Sequence, residues 1–175
     1  MNIEDRTSNI EPGQAWHFSL HGGHSRDFCD HAEDSLEAMI EAAVSTGYHT
    51  FGVTEHAPRV EPHHLYPEER DMGWDVATLE RLFVQYAETV EALSAAYADR
   101  LHVLRGFEIE VVPEDRYVEL MRGYRERHGF AYVVGSVHWV DGNIIDYSRP
   151  YYERVAAACG GTETLAVRYY ETMAR

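Results

Sequence analysis

Apolar positions along the chain fall into short runs of strand length and longer stretches with helical spacing. The short runs predict four strands, over residues 16–20, 50–54, 101–112 and 130–135. Stretches with apolar residues at i, i+3 and i+4 predict the intervening helices, and two further helices are predicted at about 150–158 and 162–174. Successive strand–helix pairs indicate an α/β fold with a parallel sheet, either open or closed into a barrel.

Local signals predict where several of these elements begin. Asp34, with Glu37 three residues later, is typical of a capping box at a helix start. Asp75 is positioned to cap a long helix that runs to about residue 99. Pro113 suits the first turn of the next helix. Asp141-Gly142 predicts a tight turn and a small hairpin.

Each predicted strand ends at a polar residue that can bind a metal ion. Because parallel strands place their carboxyl ends at one edge of a sheet, these side chains are expected to converge. The convergent set is His21, His24, His31, His56, Glu108 and His138. Imidazole and carboxylate together are common ligands of Zn, Fe and Mn, so the pattern predicts a metal centre.

Each candidate has an alternative without metal chemistry. The loop from His21 to His31 could be a polar turn, and His56 could be a cap, but six potential donors on one strand-end loop favour metal. Glu108 lies in an apolar strand, where a carboxylate is costly to bury unless it is paired or metal-bound. Glu110 shares its alternation, so spacing leaves open which of the two bridges metals.

Other polar residues nearby receive less specific interpretations. Arg59 follows the His56 segment and could contact a phosphate group with its guanidinium or form a surface salt bridge. His63 and His64 could belong to a substrate-binding loop, but they are interpreted as a solvated pair. Cys29 is interpreted as a packed thiol rather than a ligand.

Composition excludes several classes of protein. The formal net charge is −15, so neither nucleic acid nor an anionic membrane is an expected partner. All basic residues are arginine, so Schiff-base chemistry on a lysine is excluded. Two cysteines are too few for a disulfide framework and indicate a reducing setting, the cytoplasm. Residues 1–14 are expected to be a loose arm, and residues 15–175 a single domain.

In this order, the strand-end loops resemble the PHP-domain phosphoesterases, and among them the histidinol phosphatase family. The resemblance begins at about residue 18 and continues to the last residue. It rests on these segments: His21-Gly22-Gly23-His24, Phe28-Cys29-Asp30-His31, Thr54-Glu55-His56-Ala57-Pro58-Arg59, Tyr66-Pro67-Glu68-Glu69, Gly106-Phe107-Glu108-Ile109-Glu110 and Gly135-Ser136-Val137-His138.

The resemblance implies a distorted β/α barrel, here incomplete with about four βα units, and a centre of two or three divalent metal ions. The implied reaction is hydrolysis of a small phosphate ester, L-histidinol phosphate, to L-histidinol and phosphate in histidine biosynthesis. By position, His24 matches the second histidine of the family's His-x-His, and His31 and His56 match ligands of another metal. Glu108 matches the bridging carboxylate and His138 a further ligand. Arg59 would offset charge on the phosphate oxygens beside Glu108 and His138.

Two departures from the family pattern bear on function. The first histidine of His-x-His would fall on Gly22, and His21 stands one residue earlier. The family's late Gly-His-x-Asp loop is absent before Arg175. The alternatives are a fragment of a longer protein, a shortened form whose open sheet edge is covered by a second copy or another partner, and a metal-binding module with little catalysis. A phosphoesterase of another substrate and a non-catalytic binding protein also stay open.

Overall fold

The computed structural model describes residues 17–175, so the predicted arm at 1–14 and the start of the first strand lie outside the described residues. The strands are β1 (Phe18–Ser19), β2 (Thr50–His56), β3 (His102–Glu110), β4 (Tyr132–Ser136), β5 (Trp139–Val140) and β6 (Asn143–Ile144). The helices are α1 (Leu36–Ser45), α2 (Pro67–Asp71), α3 (Val76–Ala96), α4 (Tyr117–His128), α5 (Arg149–Ala158) and α6 (Thr162–Met173), with a 3₁₀ turn at Pro62–His64.

Strands β1 to β4 form one parallel sheet in sequence order. The predicted α/β class is confirmed, with four βα units forming an incomplete barrel. The Asp141-Gly142 turn joins β5 and β6 into the expected antiparallel hairpin. Within the described part of the chain, every helix is too short or too polar to cross a membrane.

Alternation along the strands separates a helix-covered face of the sheet from a concave face. On the covered face the sheet contributes the buried residues Phe51, Val53, Val103, Phe107 and Ile109. Helices α1 and α3 pack on them with Leu36, Ile40, Phe83, Tyr86 and Val90. The register pairs His56 with Glu108 on the other face, so the residues that end β2 and β3 are neighbours. The core therefore fixes the strands whose carboxyl ends carry the polar groups.

Glycines on the concave face make room for one tyrosine. The ring of Tyr132 lies over β3, and a Cβ placed on Gly106 would lie 2.5 Å from that ring. A Cβ on Gly52 would lie 2.1 Å from the Tyr132 hydroxyl oxygen. Both distances are far below ordinary van der Waals contact, so glycine at these positions is required for the tyrosine to cross the sheet.

We expect Gly106→Ala to destabilise the protein by about 1–3 kcal/mol, because the added methyl group overlaps a ring that β4 holds in place. Gly123→Ala on α4 is the matched control: its added methyl meets nothing within 4 Å, and alanine in a helix interior is favourable by about 0.5–1 kcal/mol. Urea unfolding measures both changes. Equal stability of the two variants would contradict the close approach of Tyr132.

Two predicted helix starts are wrong. Ser35, not Asp34, is the N-cap of α1, and its hydroxyl accepts a hydrogen bond from the Ala38 N–H at 3.2 Å. Helix α4 begins at Tyr117, because residues 113–116 form a turn before it. The predicted cap of the long helix is confirmed, since Asp75 accepts a hydrogen bond from the Thr78 N–H.

Candidate metal centre

Glu108 lies at the centre of a group of imidazoles at the carboxyl edge of the sheet. Its Oε2 lies 3.2 Å from His21 Nε2 and 3.3 Å from His24 Nε2, and its Oε1 lies 3.3 Å from His138 Nε2. The Glu108 residue is only 2% exposed. Imidazoles from two separate segments of the chain therefore meet on one buried carboxylate.

His56 and His31 complete this group on the other side of His24. The rings of His24 and His56 are stacked with centroids 4.0 Å apart, and the His31 centroid lies 5.2 Å from His24 and 5.6 Å from His56. His138 lies 5.6 Å from His56. All six residues that the sequence nominates as metal ligands are thus brought together.

Their donor atoms have spacings suited to metal ions. Three groups place their donor atoms within 4.8 Å of one another: His24, His31 and His56; His21, His24 and Glu108; His56, Glu110 and His138. A tetrahedral zinc with bonds of about 2.0–2.1 Å separates neighbouring ligand atoms by about 3.3 Å, which is the spacing around Glu108. His24 and His56 each belong to two groups, so the groups adjoin.

Several polar atoms in and beside these groups are buried without a hydrogen-bond partner. They include His24 Nδ1, His56 Nδ1, Glu55 Oε2 and Glu108 Oε2. Leaving a buried polar atom unpaired costs about 1–3 kcal/mol, and a bound cation would satisfy such atoms. The residues present therefore fit divalent metal ions.

Charges within the group shift the pKa of its members in opposite directions. Burial alone would lower the pKa of His24, but the nearby carboxylates of Glu108 and Glu55 outweigh it and raise that pKa to about 9. Burial would raise the pKa of Glu108, but the close imidazole of His24 and the neighbouring His56 lower it to about 2. Burial lowers the pKa of both His56 and His31, and the charge of His24 adds to this effect.

We expect zinc binding to metal-free protein near neutral pH to release about one proton from His24, because only a neutral imidazole binds metal. The release is expected to diminish as the pH rises through about 9, where the His24 imidazole is already neutral. Calorimetry in buffers of different ionisation enthalpy measures this number. His17→Ala, an exposed histidine outside the centre, serves as the control. Proton release that persists unchanged in His24→Ala would contradict the assignment.

A buried network behind the centre holds His138. Glu110 Oε1 lies 2.8 Å from His138 Nδ1, and the Tyr66 hydroxyl donates a hydrogen bond to the same carboxylate. Arg59 Nη1 donates to Glu110 Oε2 at 3.2 Å, and Arg59 Nη2 forms an ion pair with Glu69. This arrangement fixes the His138 ring with Nε2 towards Glu108.

The structure corrects the interpretation of Arg59 as part of a surface salt bridge. Its residue is 3% exposed, so its ion pairs are buried rather than on the surface. Its terminal nitrogens face Glu69 and Glu110, which leaves neither directed at a phosphate in the cleft. Burial would lower the pKa of Arg59, but the charges of Glu110 and Glu69 raise it. Arg59 therefore belongs to the buried network that contacts His138 through Glu110.

Sequence reasoning did not nominate Glu55, which is buried at the end of β2. Its Oε1 accepts hydrogen bonds from the Ser25 N–H and the Ser25 hydroxyl, both at 2.7 Å, and its Oε2 lies 3.6 Å from His24 Nδ1. It therefore ties the His24 loop to the sheet. The sequence did contain a signal for Glu55, which is a carboxylate directly after the apolar run 50–54. A carboxylate next to apolar strand residues also singled out Glu108.

The position of His21 follows from a lack of space at residue 22. A Cβ on Gly22 would lie 2.5 Å from the Phe51 ring and 2.7 Å from the Gly52 carbonyl oxygen, while the Gly22 N–H donates to that same oxygen at 2.8 Å. No side chain fits there. His21 instead places its Nδ1 against the Thr54 hydroxyl and its Nε2 near Glu108.

Two lesser interpretations have different outcomes. His64 is buried, so the solvated pair is wrong for that residue, whereas His63 is exposed as expected. Cys29 is a packed thiol: its Sγ donates to the Ser25 carbonyl oxygen at 3.2 Å, and burial raises the pKa of the thiol to about 12. Both cysteines are free.

The imidazoles open into a cleft of about 430 Å³, a size suited to a small molecule. It is lined by His24, Asp30, His31, His56, Tyr66, Glu68, His138, Ile144, Asp146 and Tyr147. Three carboxylates thus face a space that adjoins the metal-ligating groups.

Comparison with known proteins places these features in context. The model of the PHP domain family matches residues 20–175. The probable histidinol-phosphatase of Schizosaccharomyces pombe is 35% identical over 150 residues, which are 85% of this chain and 48% of that protein. The chain therefore spans about half the length of this relative.

Two solved structures share the fold. The crystal structure of a candidate histidinol phosphatase from Listeria monocytogenes matches 87% of this chain and 59% of its own, with a TM-score of 0.71 and 23% identity. The histidinol phosphate phosphatase of Lactococcus lactis, solved with zinc, L-histidinol and phosphate, has a TM-score of 0.52 and 16% identity over 81% of this chain and 50% of its own.

Proposed function

Because the chain belongs to the PHP domain family, we propose that it carries out metal-dependent hydrolysis of a phosphate monoester, with L-histidinol phosphate as the substrate. The observation that carries the proposal is the convergence of His21, His24 and His138 on the buried Glu108. The name of the Schizosaccharomyces pombe relative and the ligands of the Lactococcus lactis structure support this choice of substrate.

The proposed centre holds two or three divalent ions of the Zn, Fe or Mn class. His21, His24 and Glu108 would hold one ion, with His31 and His56 as ligands of a second beside His24. His138 completes the set through Glu108 and Glu110. Such ions polarise phosphoryl oxygens and lower the pKa of bound water, which makes a hydrolytic nucleophile available at neutral pH.

The surrounding residues prepare this chemistry. Glu108 keeps its negative charge because its pKa is low, so it can serve two cations. Glu110, Tyr66 and Arg59 hold His138 in one orientation. The proposed hydrolysis does not require a covalent nucleophile from a protein side chain. Glu108 and His138 therefore act at the reacting centre, and Arg59 acts through Glu110.

The acidic lining of the cleft supports a substrate with positive charge. Asp30, Glu68 and Asp146 line the space next to the imidazoles. Histidinol phosphate carries an ammonium group and an imidazole beside its phosphate, so these carboxylates complement it while the ions complement the phosphate. We also propose that the protein works in a reducing compartment, the cytoplasm, and that its reaction belongs to histidine biosynthesis.

The test is phosphate release from L-histidinol phosphate by protein loaded with Zn, Mn or Fe. We expect release that stops when a chelator removes the ions and resumes when they are returned. Turnover of other phosphate monoesters at equal rates would contradict the proposed substrate. Metal binding with no turnover of any ester would contradict the enzyme and support the non-catalytic module.

We expect Glu110→Gln to lower metal affinity or phosphate release by about 10–100-fold, because the amide no longer accepts fully from His138 and leaves Arg59 partly uncompensated. Glu126→Gln, an exposed change on α4, is the matched control. Elemental analysis and initial rates measure the effect. Unaltered metal content and rate in Glu110→Gln would show that Glu110 is not needed to position His138.

A further inference from the structure

Three metal-ligating side chains lie together on the segment after β2, apart from the centre around Glu108. They are Glu61, His63 and His64, and their donor atoms lie within 4.8 Å of one another. The 3₁₀ turn at Pro62–His64 brings the two imidazoles to one side, with ring centroids 4.1 Å apart. Neither histidine lines the cleft that adjoins the proposed reaction site.

The spacing of the three groups matches coordination of a single ion. Glu61 Oε2 lies 3.3 Å from His63 Nε2 and 3.5 Å from His64 Nδ1. Ligand atoms around a tetrahedral zinc are separated by about 3.3 Å. The same carboxylate oxygen thus stands between two ring nitrogens at distances suited to a shared cation.

A second observation concerns His64 itself. The residue is 6% exposed, and its Nδ1, which faces Glu61, is buried without a hydrogen-bond partner. An unpaired polar atom in such a place costs about 1–3 kcal/mol. A cation held by Glu61 and His63 would satisfy this nitrogen.

Neighbouring groups hold the ligands in position. The other oxygen of Glu61, Oε1, accepts a hydrogen bond from Arg116 Nη2 at 2.9 Å, which leaves Oε2 directed at the imidazoles. The His63 carbonyl oxygen accepts one from Arg70 Nη2 at 2.8 Å. The His64 ring packs edge-on against Trp139 with centroids 5.3 Å apart. Support of this kind behind the ligands is typical of metal sites.

We propose that Glu61, His63 and His64 form a separate site for one divalent ion of the zinc class. Two imidazoles and one carboxylate suit Zn²⁺, Co²⁺, Ni²⁺ or Cu²⁺ rather than Mg²⁺ or Ca²⁺. The exposed side of His63 leaves the fourth position to water. The ion fixes the turn at residues 62–64 against Trp139.

The test is the zinc content of the full chain at equilibrium with buffered free zinc, measured by elemental analysis. We expect His63→Ala and Glu61→Gln each to lose one zinc per chain relative to the unchanged protein. His17→Ala and Glu126→Gln, exposed changes elsewhere, are expected to lose none. His63 is 67% exposed, so its replacement leaves the fold intact. Equal zinc content in His63→Ala and the unchanged protein would overturn the proposal.

A spectroscopic measurement identifies the ligand atom. In protein with ¹⁵N-labelled histidine, zinc is expected to shift the Nδ1 resonance of His64 in the unchanged chain and in Glu108→Ala, but not in His63→Ala. His64→Gln assigns that resonance. Because Glu108→Ala tests the site when the main centre is impaired, failure of the proposed hydrolysis and failure of this site give different results. A zinc-insensitive His64 Nδ1 would exclude the site as described.

Discussion

Replacing Glu108 by alanine is expected to remove at least one bound metal ion and to lower phosphate release by about 10²–10³-fold or more. The physical reason is that, among residues 17–175, Glu108 is the only carboxylate within about 3.3 Å of three imidazoles, which come from two segments of the chain. Without it, His21, His24 and His138 lose the anion that holds their Nε2 atoms together.

Glu126→Ala, at an exposed position on α4, is the control for loss of one carboxylate at the surface. Metal content is measured by elemental analysis after dialysis, and activity by initial rates with saturating ion. Glu108→Gln separates charge from size, since the amide occupies similar space. An unchanged metal content in Glu108→Ala would refute the bridging role.

The second large effect is expected for Arg59→Met, which should destabilise the fold by about 3–5 kcal/mol. Its guanidinium is buried between Glu69 and Glu110, so the substitution leaves two buried carboxylates without their cation. Methionine fills much of the same volume, so the cost is mainly electrostatic. Arg127→Met removes a surface ion pair with Glu80 and is expected to cost less than about 1 kcal/mol.

The pH dependence of the Arg59→Met effect identifies its cause. Burial would raise the pKa of Glu110, but Arg59 and His138 lower it in the unchanged protein. A lowered carboxyl pKa contributes stability above the unfolded pKa, and that contribution is lost as the pH falls through the folded value. The difference in unfolding free energy between Arg59→Met and the unchanged protein should therefore become smaller in acid. Urea unfolding at several pH values measures this difference, and a difference that is constant with pH would indicate lost packing instead.

The position of the centre could be predicted from sequence because it depends on one property of parallel strands. Their carboxyl ends share an edge, so residues that follow apolar runs, such as His56, Glu108 and His138, converge whatever the loops between them do. The α/β class could be predicted as well, because strands and helices alternate along the sequence. Spacing alone left Glu108 and Glu110 unresolved, since both face the concave side; distances assign the first to the imidazole group and the second to the network behind it.

The network itself was not predictable, because it depends on contacts between distant segments. Arg59 meets Glu69 across 10 residues and Glu110 across 51, and local sequence cannot state which cation a buried carboxylate finds. Likewise, Ser35 rather than Asp34 is the cap of α1, and the Leu36 N–H at this helix start donates a hydrogen bond to Asp27. When two adjacent residues can both cap a helix, the path of the preceding loop decides which of them does so.

The tight fit around Gly22 makes two positions of the chain dependent on each other. Phe51 and the Gly52 carbonyl oxygen occupy the volume that a histidine at 22 would need. A histidine at residue 22 would thus require both a smaller residue at 51 and a shift of the backbone at Gly52, so glycine at 22 and a bulky aromatic at 51 should be inherited together. An aligned set of sequences in which residue 22 varies freely beside a constant aromatic would show that the two sites evolve separately.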